Sequence, residues 1–220
     1  MNAMYRIVDF GIDSLACECE KIGKGKRSQE ERFQLLEIHL AFNPDAFVEE
    51  FSTLSVNFSE YECKKLLIGV ATETLGKLAC QGDELPLACR YSLIDVLGIR
   101  RDIEFLSYLE DNLRNENPEI RIRSLKAINQ IGVVTELEKY KPFLSSCLWE
   151  ERLMMAKLLR NLPPNQVYPC LEELLQDENW WVRSQAAKTI GDSKDGKARL
   201  ESYISTGLDP YAIDLAKEAL

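Results

Sequence analysis

A period of 31 residues constrains this chain more than any other feature of its sequence. Cys89, Ile120, Glu151 and Val182 stand 31 residues apart, and the next position reads Arg90, Arg121, Arg152, Arg183. With Cys89 counted as offset 0, offset 4 holds Leu93, Ser124, Met155 and Ala186, and offset 5 holds Ile94, Leu125, Ala156 and Ala187. Offset 7 reads Val96, Ala127, Leu158, Thr189, and offset 8 reads Leu97, Ile128, Leu159, Ile190. That spacing forms one apolar stripe of an α-helix. A second set precedes it: Leu75, Leu106, Leu137 and Tyr168, then Leu78, Leu109, Tyr140 and Leu171, then Gly82, Leu113, Leu144 and Leu175. It predicts another amphipathic helix in each unit. Between the two lies the column Glu84, Asn115, Ser146, Asp177, whose last three members read as N-caps. Pro86, Pro118 and Pro210 fall near the starts of the second helices, where a missing N–H costs little. No strand pattern competes.

The register continues outward with less fidelity. Glu31-Arg32 with Leu35, Leu36 and Ile38 repeats the second helix, a blurred copy spans Glu62–Val70, and Ala212, Ala216, Ala219 and Leu220 close the array. The length of 220 residues holds about seven such units. The predicted fold is all-α: an α-α superhelix, or solenoid, of about seven stacked helical hairpins. Residues 1–27 are expected to be an N-terminal capping segment and linker, with the basic, glycine-containing stretch Gly23 to Ser28 leading into the first helix. Residues 28–220 are expected to form one repeat domain. Met1-Asn2-Ala3 before Met4 reads as a tag remnant, which leaves a signal or anchor upstream of the native start open.

The stretch Trp181-Val182-Arg183-Ser184-Gln185-Ala186-Ala187-Lys188-Thr189-Ile190-Gly191, preceded by Asp177, resembles the HEAT-repeat pattern. Glu119-Ile120-Arg121, Ala127-Ile128 and Ile131-Gly132 match the same pattern. The resemblance is clearest over residues 84–192, and the short period is similar to the bacterial HEAT-like subgroup that includes phycobilin-lyase-type repeats. It implies an α-solenoid used as a binding scaffold. The motif specifies fold and is nearly silent about activity.

Composition narrows the chemistry. Lys+Arg is 27 against Asp+Glu 36, a net charge of −9, and His39 is the one histidine. An acidic chain has no general attraction for phosphate backbones or anionic membranes, so nucleic acid is disfavoured as a partner. One histidine excludes a multi-histidine metal site, and no metal or other cofactor is expected. It also excludes the HEAT-type deoxyhypusine hydroxylases, whose repeated His-Glu ligands are missing. The seven cysteines (17, 19, 63, 80, 89, 147 and 170) include no Cys-x-x-Cys; reduced, mostly buried thiols are expected. Cys17 and Cys19 would point about 200° apart on a helix, so a ligand pair is not expected. No apolar run approaches membrane-spanning length.

Several residues invite a functional reading. The arginine column (Arg32, Arg90, Arg121, Arg152, Arg183) borders the buried stripe near the turn, and is read as structural: guanidinium groups satisfying turn carbonyls and neighbouring acids. The outward face of the second helix carries Lys126, Lys157 and Lys188 at offset 6, with Arg123 and Arg160 nearby. Tyr91, Ile122 and Leu153 flank this row at offset 2 and are expected to be exposed. In the family it resembles, second helices line the concave side, which places the stripe in the groove. A basic ridge beside apolar side chains suits an acidic or amphipathic protein segment. Trp149 and Trp180 share a column and are expected to stack; Trp181 points outward and is the better binding candidate. Glu49-Glu50, Glu150-Glu151 and Glu172-Glu173 are read as solvated faces, and His39 as a packed, hydrogen-bonded core histidine. The segment Gly191 to Ala198 nearly spells a phosphate-binding loop, but Ala198 replaces the metal-binding hydroxyl and the segment follows a helix. It is read as an inter-repeat loop.

The expected function is therefore that of a non-catalytic protein-binding scaffold, cytoplasmic or the cytoplasmic part of a longer, membrane-anchored protein. The chain is expected to be monomeric and not to insert in a membrane. Two enzymatic alternatives rest on resemblance alone: a HEAT-like DNA glycosylase of base-excision repair, and a bilin lyase-like enzyme.

Overall fold

A computed structural model describes residues 27–134, 136–207 and 209–220 of the chain, without the side chains of residues 164 and 165. All regular structure among the described residues is helical. The α-helices are α1 (Gln29–Phe42), α2 (Pro44–Leu54), α3 (Glu60–Leu67), α4 (Thr72–Gln81), α5 (Leu87–Arg100) and α6 (Leu106–Asp111). They continue with α7 (Pro118–Ile131), α8 (Trp149–Leu158), α9 (Pro164–Leu174), α10 (Trp180–Gly191), α11 (Gly196–Thr206) and α12 (Pro210–Glu218). The chain is an all-α solenoid of helical hairpins. It divides into two compact units, up to Val96 and from Leu97 onward, and the expected capping segment lies outside the described residues apart from Arg27.

The first unit is built on two capping boxes. Ser28 and Ser59 accept from the backbone N–H of Glu31 and Glu62, whose carboxylates accept in return from the N-cap N–H groups. These hydrogen bonds hold both carboxyls below the usual range. Phe47 and Phe51 of α2 are fully buried, and Gln81 of α4 donates to the Val48 carbonyl at 2.8 Å. Cys63 of α3 and Cys89 of α5 lie buried with sulfurs 3.2 Å apart, as free thiols. Thiol burial is less general than expected, because Cys80 and Cys147 are exposed; Cys17 and Cys19 lie outside the described residues. His39 is half-buried rather than in the core, with Nε2 3.5 Å from Glu50.

In the second helices, all twenty residues at offsets 0, 4, 5, 7 and 8 (five columns in four copies) are at most 4% exposed. Buried apolar area at this regularity is what makes the hairpins stack. Three residues break the apolar rule, Ser124, Thr189 and Glu151; Thr189 donates to the Ala156 carbonyl at 2.9 Å, and Glu151 accepts from Arg121 at 2.7 Å. Glu151 is 2% exposed, so the solvated reading of that acid was wrong. A charge on an inward column survives because a guanidinium and the Ser146 hydroxyl neutralise and satisfy it. Close approach fixes Gly98, where a Cβ would stand 2.7 Å from the Ala127 backbone.

Two local expectations need correction. Residues 137–145 form two 3-10 helices, Leu137–Lys139 and Lys141–Ser145, rather than an α-helix. Pro142 removes a backbone donor and disfavours the α conformation at Lys141. Tyr140 still reaches the core, and its hydroxyl donates to Glu110 at 2.7 Å. Asn115, Ser146 and Asp177 do not cap the second helices; their side chains accept from the N–H two residues on, closing turns ahead of the helix. The side-chain caps are Asn117, Asn179 and Asp209.

Burial and the Glu110 hydrogen bond push the Tyr140 phenol above its ordinary value. The folded state holds the neutral phenol, so this stabilisation is complete below the unfolded value of about 10 and declines as pH rises beyond it. In urea titrations, the stability advantage of the wild type over Tyr140→Phe is expected to shrink above pH of about 10. An advantage that stays constant from pH 7 to 11 would show that the phenol does not titrate with unfolding.

Candidate partner-binding site

The arginine column sits where each turn meets the next repeat. Arg121 donates through Nη1 to the carbonyls of Asn115 at 2.9 Å and Glu116 at 3.0 Å, and through Nε to Glu151. Arg152 donates to the Ser146 carbonyl at 2.7 Å and grips both carboxylate oxygens of Asp177 at 2.6 and 2.9 Å. Arg183 donates to the Asp177 carbonyl and, at 2.7 Å, to Asp209. Each guanidinium thus closes its own turn and reaches an acid near the start of the following second helix. Arg90 pairs with Asp83 at 2.5 Å, while Arg32 donates to the Val56 carbonyl and lies over the Phe58 ring. With these partners the column has little left to offer a ligand. Arg152 is the most enclosed, its side chain 9% exposed against 6% for Asp177. Arg152→Ala strands a buried carboxylate, and a loss of about 3–5 kcal/mol is expected in chemical denaturation.

The opposite face is organised differently. Offset 6 places Lys126, Lys157 and Lys188 on the outward side of α7, α8 and α10, and Arg160 follows α8 in the 3-10 turn Leu159–Asn161. These four cations line a single hollow of 440 Å³, together with Asn129, Gln130, Met154, Gln185, Thr189 and Asp192. Asp192 is the one carboxylate in its wall. None of the four cations has an ion-pair partner among the described residues. Several lysines elsewhere are matched: Lys64 with Asp95 at 2.5 Å, Lys77 with Asp45 at 2.8 Å, Lys139 with Glu110 at 2.7 Å. Lys157 is half-buried in the centre of the group. Burial, and then the charges of Lys126, Arg160 and Lys188, hold its ammonium pKa below the ordinary lysine value. Four like charges in one hollow make a local positive field on an acidic chain.

Other sequence candidates lie outside this hollow. Arg123 is occupied by Glu119, 2.6 Å away one turn earlier. Ile122 and Leu153 are half-buried rather than exposed, and so is Tyr91 in the first unit. Trp181 is 60% exposed at the opposite end of α10, beyond the walls of the hollow. Trp180 makes its ring contact with Trp181, edge to face at 4.8 Å, and not with Trp149 as expected. The wall residues that sequence reasoning missed do carry a periodic signal. Met154 and Gln185 share offset 3, Asn129 and Arg160 share offset 9, and Gln130 and Asp192 share offset 10. Among the described residues no group of three His, Cys, Asp or Glu side chains could hold a metal ion, and no helix is long and apolar enough to cross a membrane. The near phosphate-binding loop joins α10 to α11, and a Cβ at Gly196 would overlap the Ile190 carbonyl.

A bound anion raises the Lys157 pKa towards normal, so binding at alkaline pH must take up protons. Calorimetry of an anionic ligand in two buffers of different ionisation enthalpy is expected to show that uptake, with affinity falling as pH rises. Equal heats in both buffers would show that the amine is not at the binding site. Residues 137–220 match the family model of HEAT repeats. No curated protein matches the chain.

Proposed function

We propose that this chain, whose residues 137–220 match the family model of HEAT repeats, is a non-catalytic scaffold binding an acidic segment of a partner protein. The observation that carries this reading is the hollow of Lys126, Lys157, Arg160 and Lys188, four cations without ion-pair partners on a chain of net charge −9. Folding gains nothing from gathering like charges, since each added cation costs Coulomb energy and lowers the Lys157 pKa. An acidic ligand reverses that cost. The three lysines occupy one position in three successive repeats, which suits an extended segment crossing the helices rather than a point contact. The scaffold acts as a monomer in the cytoplasm or on the cytoplasmic side of a membrane.

The test is fluorescence anisotropy with a labelled twelve-residue Glu/Asp-rich peptide, across a salt series. Wild type is expected to bind with an affinity that falls steeply with salt. Lys126→Glu/Lys157→Glu/Lys188→Glu should weaken binding at least about 100-fold, since every close charge pair becomes repulsive. Equal binding by the two proteins would remove the hollow as the site. Tighter binding of duplex DNA than of the peptide, lost in the same variant, would favour a nucleic-acid function instead.

A further inference from the structure

A second hollow, of 230 Å³, adjoins the basic one and shares Arg160, Thr189 and Asp192 with it. Its remaining wall is mostly apolar, with Leu159, Leu162, Val167, Tyr168 and Leu171, and is completed by Ser193 and Lys194. It lies between the 3-10 turn Leu159–Asn161, α9 and the end of α10, so both hollows belong to the second unit. Its shape is held by the fold. Tyr168 is nearly buried and its hydroxyl is 2.8 Å from the Ser193 hydroxyl, which itself donates to the Ile190 carbonyl at 2.6 Å. Thr189 is tied to Ala156. Arg160 stands on the boundary, with no ion-pair partner among the described residues, and is exposed.

We propose that the two hollows together read one short motif: a run of carboxylates in the basic hollow, followed or preceded by one aliphatic side chain in the apolar one. This rests on the acidic-segment reading and adds a specificity element to it. Charge complementarity selects the acidic part of the occupant, and the shared wall at Arg160 and Asp192 sets the apolar side chain next to it. A hollow of 230 Å³ has room for a single aliphatic anchor. Charges supply attraction and on-rate, whereas the buried anchor supplies discrimination among acidic sequences. Polyglutamate alone is therefore an incomplete ligand.

The probes are peptides Glu-Glu-Glu-(Gly)n-Leu in both directions, with n from 0 to 3, and the same set with Ser in place of Leu. Sodium laurate serves as a lipid-like control. At one spacing, the Leu peptide is expected to bind about tenfold more tightly than its Ser counterpart, the worth of one largely buried aliphatic side chain. Leu162→Gln, which adds no charge beside Arg160, should remove that difference while leaving the salt-dependent binding of the Ser peptides in place. Equal affinities for Leu and Ser peptides at every spacing would overturn the anchor but leave the acidic-segment reading standing. No salt-dependent binding by any peptide would overturn both. Laurate displacing the Leu peptide and binding more tightly would overturn the motif in favour of an amphiphilic acid.

Discussion

The arginine column is the interaction on which the rest of the second unit depends. Apolar stripes alone let neighbouring hairpins slide, because burial is non-directional. A guanidinium that closes its own turn and also grips a carboxylate near the next second helix fixes register and spacing together. Arg121 with Glu151, Arg152 with Asp177 and Arg183 with Asp209 repeat this device three times. The acids vary in position, yet the donor stays at offset 1. Desolvating such pairs offsets much of their Coulomb gain, so their contribution is geometric definition more than net stability.

Holding the turns at one end of each second helix leaves the other end available. Offset 6 then recurs at the same height in successive repeats, and Lys126, Lys157 and Lys188 converge on one hollow. Their charges oppose one another across it, which only a rigid framework tolerates. The division is sharp: Arg121, Arg152 and Arg183 near the turns are matched to acids inside the fold, and the lysines five residues on have no ion-pair partner among the described residues. Net charge hides this partition. An acidic total disfavours anions in bulk, while one local field attracts them.

Much of the fold was legible because a repeat multiplies every weak signal. A single Ser124 or Glu151 would confuse a helix pattern, but four aligned copies identify the column as inward. What the columns could not convey was local backbone chemistry. Tyr140 keeps its buried place although Pro142 converts the segment from α to 3-10, while Leu137 is left half-buried. Asn115, Ser146 and Asp177 look like caps by composition, yet they close turns two residues ahead of them. The hollow was half legible. The lysine row and the offset-10 place of Asp192 follow from the repeat period, whereas the apolar neighbour depends on how α9 and α10 pack. Trp181 misled because exposure at a helix start says nothing about distance from a site at its other end.

The most direct measurement is a nuclear magnetic resonance titration of the isotope-labelled chain with an acidic peptide, following backbone amides. The account predicts shift changes concentrated in the C-terminal halves of α7, α8 and α10 and around Arg160. Changes centred instead on Trp180, Trp181 and the arginine turns, or spread along α9 and α11 alone, would contradict it.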